Sequence, residues 1–234
     1  MNTALLTIDD VASRNTPAIV DYLVEKNIKA VLFATGTNLE RFFDQARYAV
    51  QKGMIVGNHS YSHPAFSTLA PQECFEEIRR CEALLDRLYR ESGVERRYRP
   101  FRFPYGDKGG ANKAVLQAFL RENGFHKLND AHIPYPWWKE NNLHTDIDTL
   151  WTFDFEEYRM AHEEDFTLDT VWQKMYNPAP QLGGALFAPG HRHILLLHAF
   201  DETEAKLPGY YRILLDHLLE QGLTFDEPRF MEQV

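Results

Sequence analysis

The chain reads as an α/β protein, a distorted (β/α) barrel of seven or eight strands, and three observations carry that prediction. Short β-rich runs alternate with amphipathic helical stretches along the sequence, which means parallel strand pairing through right-handed crossovers. Several of those runs end on a polar residue able to do chemistry, the pattern of a barrel whose site gathers at the C-terminal ends of its strands. The 234 residues suffice for one sizeable core, so 1–234 is expected to be a single catalytic domain.

The elements follow in order. Residues 4–8 form a β-rich run that stops at Asp9 and Asp10. Residues 16–26 are expected to be helical, with an apolar stripe of Ile19, Val20, Leu23 and Val24. Residues 29–34 are the second strand, ending at Thr35-Gly36-Thr37-Asn38, and 39–52 the next helix, closed by Gly53. A strand at 54–56 runs into Asn58-His59. Residues 71–91 make a long helix that buries Ile78, Leu84, Leu85 and Leu88 and stops at Ser92-Gly93. Strand 98–102 leads into the turn Phe103-Pro104-Tyr105-Gly106; helix 112–123 with Gly124 and strand 125–128 come next. Strand 149–153 ends at Asp154, strand 193–197 ends at His198, and helix 209–220 stops at Gly222 before a last strand at 223–225.

Two segments break the alternation. Residues 129–148 carry Tyr135, Trp137 and Trp138 with little periodicity; a long loop in a compact domain is usually functional or disordered. These rings are expected either to stack on a sugar or to plug the barrel mouth. Residues 176–192, with Pro178, Pro180, Gly183, Gly184, Pro189 and Gly190, are expected to cross the surface irregularly.

Composition excludes several function classes. A net charge of −9 without a Lys/Arg stripe argues against nucleic acid or an anionic membrane as partner, and no apolar run is long enough for a membrane span. No signal-peptide pattern opens the sequence, so a cytoplasmic location is expected. Cys74 and Cys81 lie seven residues apart in a helical stretch, roughly 10 Å at helical rise and too far for a disulfide. Their expected role is packing.

His59 and His63, in Asn58-His59-Ser60-Tyr61-Ser62-His63, carry the chemistry. Two imidazoles and one carboxylate are a standard set for a catalytic divalent metal with an open position. Asp10 completes that set and leaves Asp9 beside it as a base. Either part alone is weak, since His pairs at this spacing often decorate a helix and an Asp pair often marks a turn. His126, His132, His144, His162 and His217 lack a ligand-spaced partner at a strand end, and His191 and His193 read as structural or solvated.

With these residues in place, the chain resembles the polysaccharide deacetylases of the NodB-homology type, carbohydrate esterase family four. Their ordered motifs are matched by Thr7-Ile8-Asp9-Asp10, His59-Ser60-Tyr61-Ser62-His63, Arg102-Phe103-Pro104-Tyr105-Gly106, Asp154-Phe155-Glu156-Glu157-Tyr158 and Leu196-Leu197-His198. Two departures stand out. The fourth motif usually reads Asp-x-x-Asp-Trp where this chain has Glu157 and Tyr158, and Val11-Ala12 replaces the usual Gly-Pro.

The resemblance implies the same barrel and a hydrolase that removes an N-acetyl or formyl group from an amino sugar or oligosaccharide. Asp10, His59 and His63 would hold one divalent ion, zinc first, with cobalt, nickel or manganese as alternatives. Asp9 would take the proton of the attacking water, oriented by Arg102, and His198 would protonate the leaving amine. A fourth-motif acid would pair with His198: Asp154 is placed slightly ahead, with Glu157 held open. The Tyr105 backbone N–H would stabilise the oxyanion, and Leu196 would line the acyl pocket. Val11 is expected to narrow access near the metal and favour a small or slim substrate. Three other readings remain: a small-molecule amide hydrolase, a non-haem iron oxygenase on the same ligand set, and a carbohydrate-binding protein with a decayed site.

Overall fold

A computed structural model describes residues 2–178 and 184–231. The expected alternation of elements is largely recognisable in it: parallel strands line an inner barrel and helices cover the outside. The strands are β1 (Thr3–Val11), β2 (Ala30–Ala34), β3 (Ile55–Asn58), β4 (Phe153–Asp154), β5 (Arg192–His198) and β6 (Thr224–Phe225). They form one six-stranded sheet in the order β3-β2-β1-β5-β4, with β6 added at the start of β1, and every pairing is parallel. The ring closes through single rungs. Asn58 bridges Phe101, the Thr149 N–H donates to the Phe101 carbonyl at 2.8 Å, and β4 returns the path to β5.

Period-two alternation sorts the side chains. Leu6 and Ile8 of β1, Leu32 of β2, Val56 of β3 and Leu195 and Leu197 of β5 all enter the large outer core beneath the helices. Leu5, Val31, Phe33, Ile55 and Ile194 pack together on the opposite, inner face. The inner column therefore reads Leu5-Thr7-Asp9 on β1 and Ile194-Leu196-His198 on β5, with polar groups at the C-terminal end. Each fully buried Leu or Ile contributes about 1.5–3 kcal/mol relative to exposure.

The helices are α1 (Thr16–Glu25), α2 (Gly36–Arg41), α3 (Phe43–Gln51), α4 (Pro71–Ser92), α5 (Lys113–Glu122), α6 (Pro136–Glu140), α7 (Leu168–Met175), α8 (Asp201–Lys206) and α9 (Tyr210–Glu220). The single helix expected over 39–52 is two, because Phe42 leaves helical geometry at φ −131°, ψ 43°. That break lets both Phe42 and Phe43 pack on the outer core. Cys74 and Cys81 are free and buried, as packing residues of α4.

Three expected strands are shorter than the sequence suggests. In 98–102 only Phe101 bridges the sheet, since Pro100 has no N–H to offer. In 149–153 regular pairing begins at Phe153. The 125–128 stretch leaves the parallel sheet: Leu128 bridges Phe230 in antiparallel fashion, and the Met231 N–H reaches the Lys127 carbonyl at 2.9 Å.

The aromatic segment fills the barrel below the site instead of lining its mouth. Tyr135 and Trp138 are buried with Ile133, Leu143, Val31, Phe33 and Ile194. The Tyr135 hydroxyl lies 3.1 Å from His193, near the start of β5, and Trp138 Nε1 donates to Asp130 at 2.8 Å. His193 is thereby a buried structural residue. The irregular connection expected over 176–192 includes Pro180 and Gly183, which lie outside the described residues. No helix among the described residues is long and apolar enough to cross a membrane.

Candidate active site

The alternation of β1 is broken at its end, and this makes the site. Asp10 adopts φ 58°, and the register between β1 and β2 shifts between Ile8 and Val11. A left-handed residue at a bulge re-aims the chain, so two consecutive acids reach the same end of the barrel. Asn38 Nδ2 fixes this turn by donating to the Asp10 carbonyl at 2.8 Å. Val11 then falls back into the outer core, fully buried. It does not stand at the mouth, so the expected narrowing of access by Val11 is corrected.

Asp10, His59 and His63 bring their ligand atoms within 4.8 Å of one another. His63 Nε2 lies 3.6 Å from Asp10 Oδ1, and His59 Nε2 lies 3.4 Å from Asp9 Oδ2. His59 Nδ1 is 2.8 Å from the Arg102 carbonyl oxygen. A carbonyl only accepts, so the proton sits on Nδ1 and Nε2 presents a lone pair toward the carboxylates. Burial, opposed in part by the charge of Asp10, holds the His59 pKa down at about 3, which keeps the ring neutral. A neutral imidazole lone pair facing carboxylate oxygens is an arrangement that a cation completes. The donor set fits a divalent metal.

Arg102 is completely buried and organises the other side of Asp9. Its Nη1 donates to Asp9 Oδ1 at 2.7 Å and to Thr7 Oγ1 at 2.8 Å, and Nε donates to the Thr149 carbonyl at 2.9 Å. The guanidinium lies over the rings of Phe33 and Trp151, with centroids 4.4 and 5.4 Å away. Tyr105 sits on the turn that follows, at φ 58°, 69% exposed, with its ring edge-on to His63.

His198 is the register partner of Asp9 on the neighbouring strand, which puts the two residues side by side on the inner face. Its Nδ1 lies 3.3 Å from Glu157 Oε1, and the same oxygen accepts the His198 backbone N–H at 2.6 Å. Glu157 is fully buried. The sequence put Asp154 ahead as the partner of His198; the structure puts Glu157 in that contact. The longer side chain reaches because residues 157–161 coil into a 3₁₀ turn after Glu156 enters the left-handed region at φ 53°. Asp154 remains within 4.8 Å of the pair, and its Oδ1 accepts the Glu156 N–H at 2.8 Å. Burial pushes the Asp154 pKa up to about 6 despite the nearby His198 charge. For His198, burial alone would lower the pKa; the charge and hydrogen bonding of Glu157, then Asp154 and Asp9, outweigh it and push the pKa up to about 10.

Leu196 is buried on the inner column, one inward position before His198. The His198 ring is flanked edge-on by Tyr158 and stacked by Phe200, with centroids 4.7 and 5.6 Å away. Phe200 and Trp151 are neighbours of the site that sequence reasoning did not single out, and Thr7 stands within the first motif without an assigned role. For Thr7 the signal was available: it lies two residues before Asp9 on one strand and so shares its face.

Comparison with known proteins bears on the family and the fold. The family profile described as polysaccharide deacetylase matches residues 1–126. A peptidoglycan-N-acetylglucosamine deacetylase of Bacillus cereus is 35% identical over 103 residues, 44% of this chain and 36% of that protein. A chitin deacetylase of Colletotrichum lindemuthianum is 25% identical over 190 residues, 73% of this chain and 74% of that protein. In fold, the chain is similar to the crystal structure of the polysaccharide deacetylase Bc1974 from Bacillus cereus, with a TM-score of 0.64 at 22% identity, covering 97% of this chain and 92% of that one. The first of these alignments spans about a third of its relative. A profile matched over more than half the sequence decides the classification: this chain belongs to the polysaccharide deacetylase family.

Proposed function

We propose that the chain is a metal-dependent hydrolase that removes the N-acetyl group from an N-acetylglucosamine-containing oligosaccharide or polysaccharide. The observation that carries this reading is the pairing of Asp9 with His198 on adjacent strands, beside the Asp10, His59 and His63 set. Hydrolysis of an amide needs a base for water and an acid for the amine within reach of one substrate carbon. Relatives named as peptidoglycan N-acetylglucosamine and chitin deacetylases support the substrate class.

Zinc is the proposed ion, held by Asp10, His59 and His63; when bound it supplies Lewis acidity toward water and the amide carbonyl. The protein's own groups do the rest. Asp9, held by Arg102, takes a proton from the attacking water. His198, kept cationic by Glu157, gives a proton to the leaving nitrogen, so that acetate and a free amine are released. The Tyr105 N–H helps to stabilise the oxyanion. Leu196 lines the wall that meets the acyl methyl, and the flanking rings of Tyr158 and Phe200 hold the acid in place.

An oxygenase has no use for a buried Arg-held carboxylate and a carboxylate-paired histidine next to its ligands. A decayed binding site is not favoured either, since Glu157 supplies the acid that the altered fourth motif would lack. The test is a panel of N-acetylglucosamine oligomers, acetylated xylan and simple formamides, read by released acid. Acetate from the oligomers is the expected result. Release confined to small formamides would replace the carbohydrate reading by that of a small-amide hydrolase.

A further inference from the structure

We infer that Glu77 of α4 is a positioning residue for the metal-binding loop, gripping it through backbone hydrogen bonds; this rests on the metal reading above. Its carboxylate makes three contacts with the loop between the two histidines. Oε2 accepts the N–H groups of Tyr61 at 3.0 Å and Ser62 at 2.7 Å, and Oε1 accepts the Ser62 hydroxyl at 2.9 Å.

The loop needs such a grip because its backbone is in neither helix nor strand, and two of its residues, Ser60 and His63, have φ of 65° and 60°. A backbone held in a sparsely populated region persists only when its surroundings over-determine it. The N–H groups are accounted for one by one. His59 N–H goes to the Ala34 carbonyl at 3.0 Å, Ser60 N–H to Asn58 Oδ1 at 2.8 Å and His63 N–H to Ser60 Oγ at 3.1 Å. Those of Tyr61 and Ser62 go to Glu77.

The opposite side is held as firmly. Gly36 and Thr37, at the start of α2, donate to the Ser60 and Tyr61 carbonyls at 3.0 and 2.9 Å. Below the loop, Asn58 Nδ2 donates to the Ile78 carbonyl and to Glu82 Oε1, both at 3.0 Å. Helix α4 is itself fixed in the core by Ile78, Cys81 and Leu85, none of them exposed. Rigidity of the core thus passes through Glu77 to the spacing of His59 and His63.

Metal-stripped protein is titrated with zinc in a calorimeter. Wild type should bind one ion per chain; a wild type that binds none contradicts the metal reading itself. Glu77→Ala should bind zinc about 10–100-fold more weakly, the usual effect of losing a group that orients metal ligands. Glu77→Gln should recover affinity to within a few-fold. Its amide oxygen accepts both N–H groups while its NH2 donates to the Ser62 hydroxyl. Glu76→Ala, an exposed neighbour on the same helix, should leave binding unchanged. Wild-type affinity in Glu77→Ala overturns the inference, as does a Gln variant as weak as Ala, which would make negative charge the active property. Should Glu77→Ala fail to fold, Glu77→Asp, one methylene short of the loop, decides in the same way.

Discussion

At the scale of single residues, the proposed reaction rests on two side chains with opposite tasks and different neighbours. Asp9 is held by a buried guanidinium at 2.7 Å, whereas His198 is held by a buried carboxylate at 3.3 Å. Asp9→Asn preserves shape and removes the proposed base. Turnover should fall by about 100-fold or more, the usual worth of general acid–base catalysis, while zinc content by elemental analysis stays near one per chain. Wild-type acetate release in that variant would remove Asp9 from the mechanism.

His198 predicts a pH dependence. Its pKa stands at about 10 against an ordinary 6.5, so the cationic form that the proposed acid role needs persists through neutrality. Activity should decline on the alkaline side only as pH rises toward that value. Glu157→Gln removes the leading favourable charge and should shift the basic limb of the kcat profile downward; Asp154→Asn should shift it less. Stability follows the same sign. A raised folded-state pKa contributes fully below 6.5 and is lost as pH climbs from there through about 10. Chemical denaturation across that window should show the slope in the wild type and a flatter line in Glu157→Gln.

At the scale of elements, the site is assembled from turns that the strands only begin. Lys108 clasps the Tyr105 turn to the segment that leads into β4, with Nζ 2.9 Å from Asp146 and 2.6 Å from Asp148. Both carboxylates are buried. Lys108→Met leaves them without this cation and should cost about 3–5 kcal/mol. Lys113, 3.0 Å from Asp146, offsets part of that loss. A melting temperature unchanged in Lys108→Met would show that the clasp has no structural weight.

At the scale of the whole molecule, most of the architecture was legible because alternation and strand-end chemistry are local signals. Asp9, Asp10, His59, His63, Arg102 and His198 were all readable as motif residues, and the structure brings them to one end of the barrel. What was not legible has physical causes. The choice of Glu157 over Asp154 depends on a left-handed Glu156, which periodicity does not record. The break at Phe42 follows from two adjacent aromatic rings both seeking the core. The inward burial of Tyr135 and Trp138 depends on contacts with β2 and β5, more than forty residues away in sequence by any count that includes His193. Val11 was misplaced because the left-handed Asp10 moves the residue after it back into the outer core.

The most direct test of the central claim is acetate release from N-acetylglucosamine oligomers by metal-stripped protein as zinc is added back. No release should occur without the ion, and turnover should rise to a plateau at one equivalent per chain. Acetate release that is indifferent to chelator and zinc would contradict the account, and so would a fully zinc-loaded protein that leaves every oligomer intact.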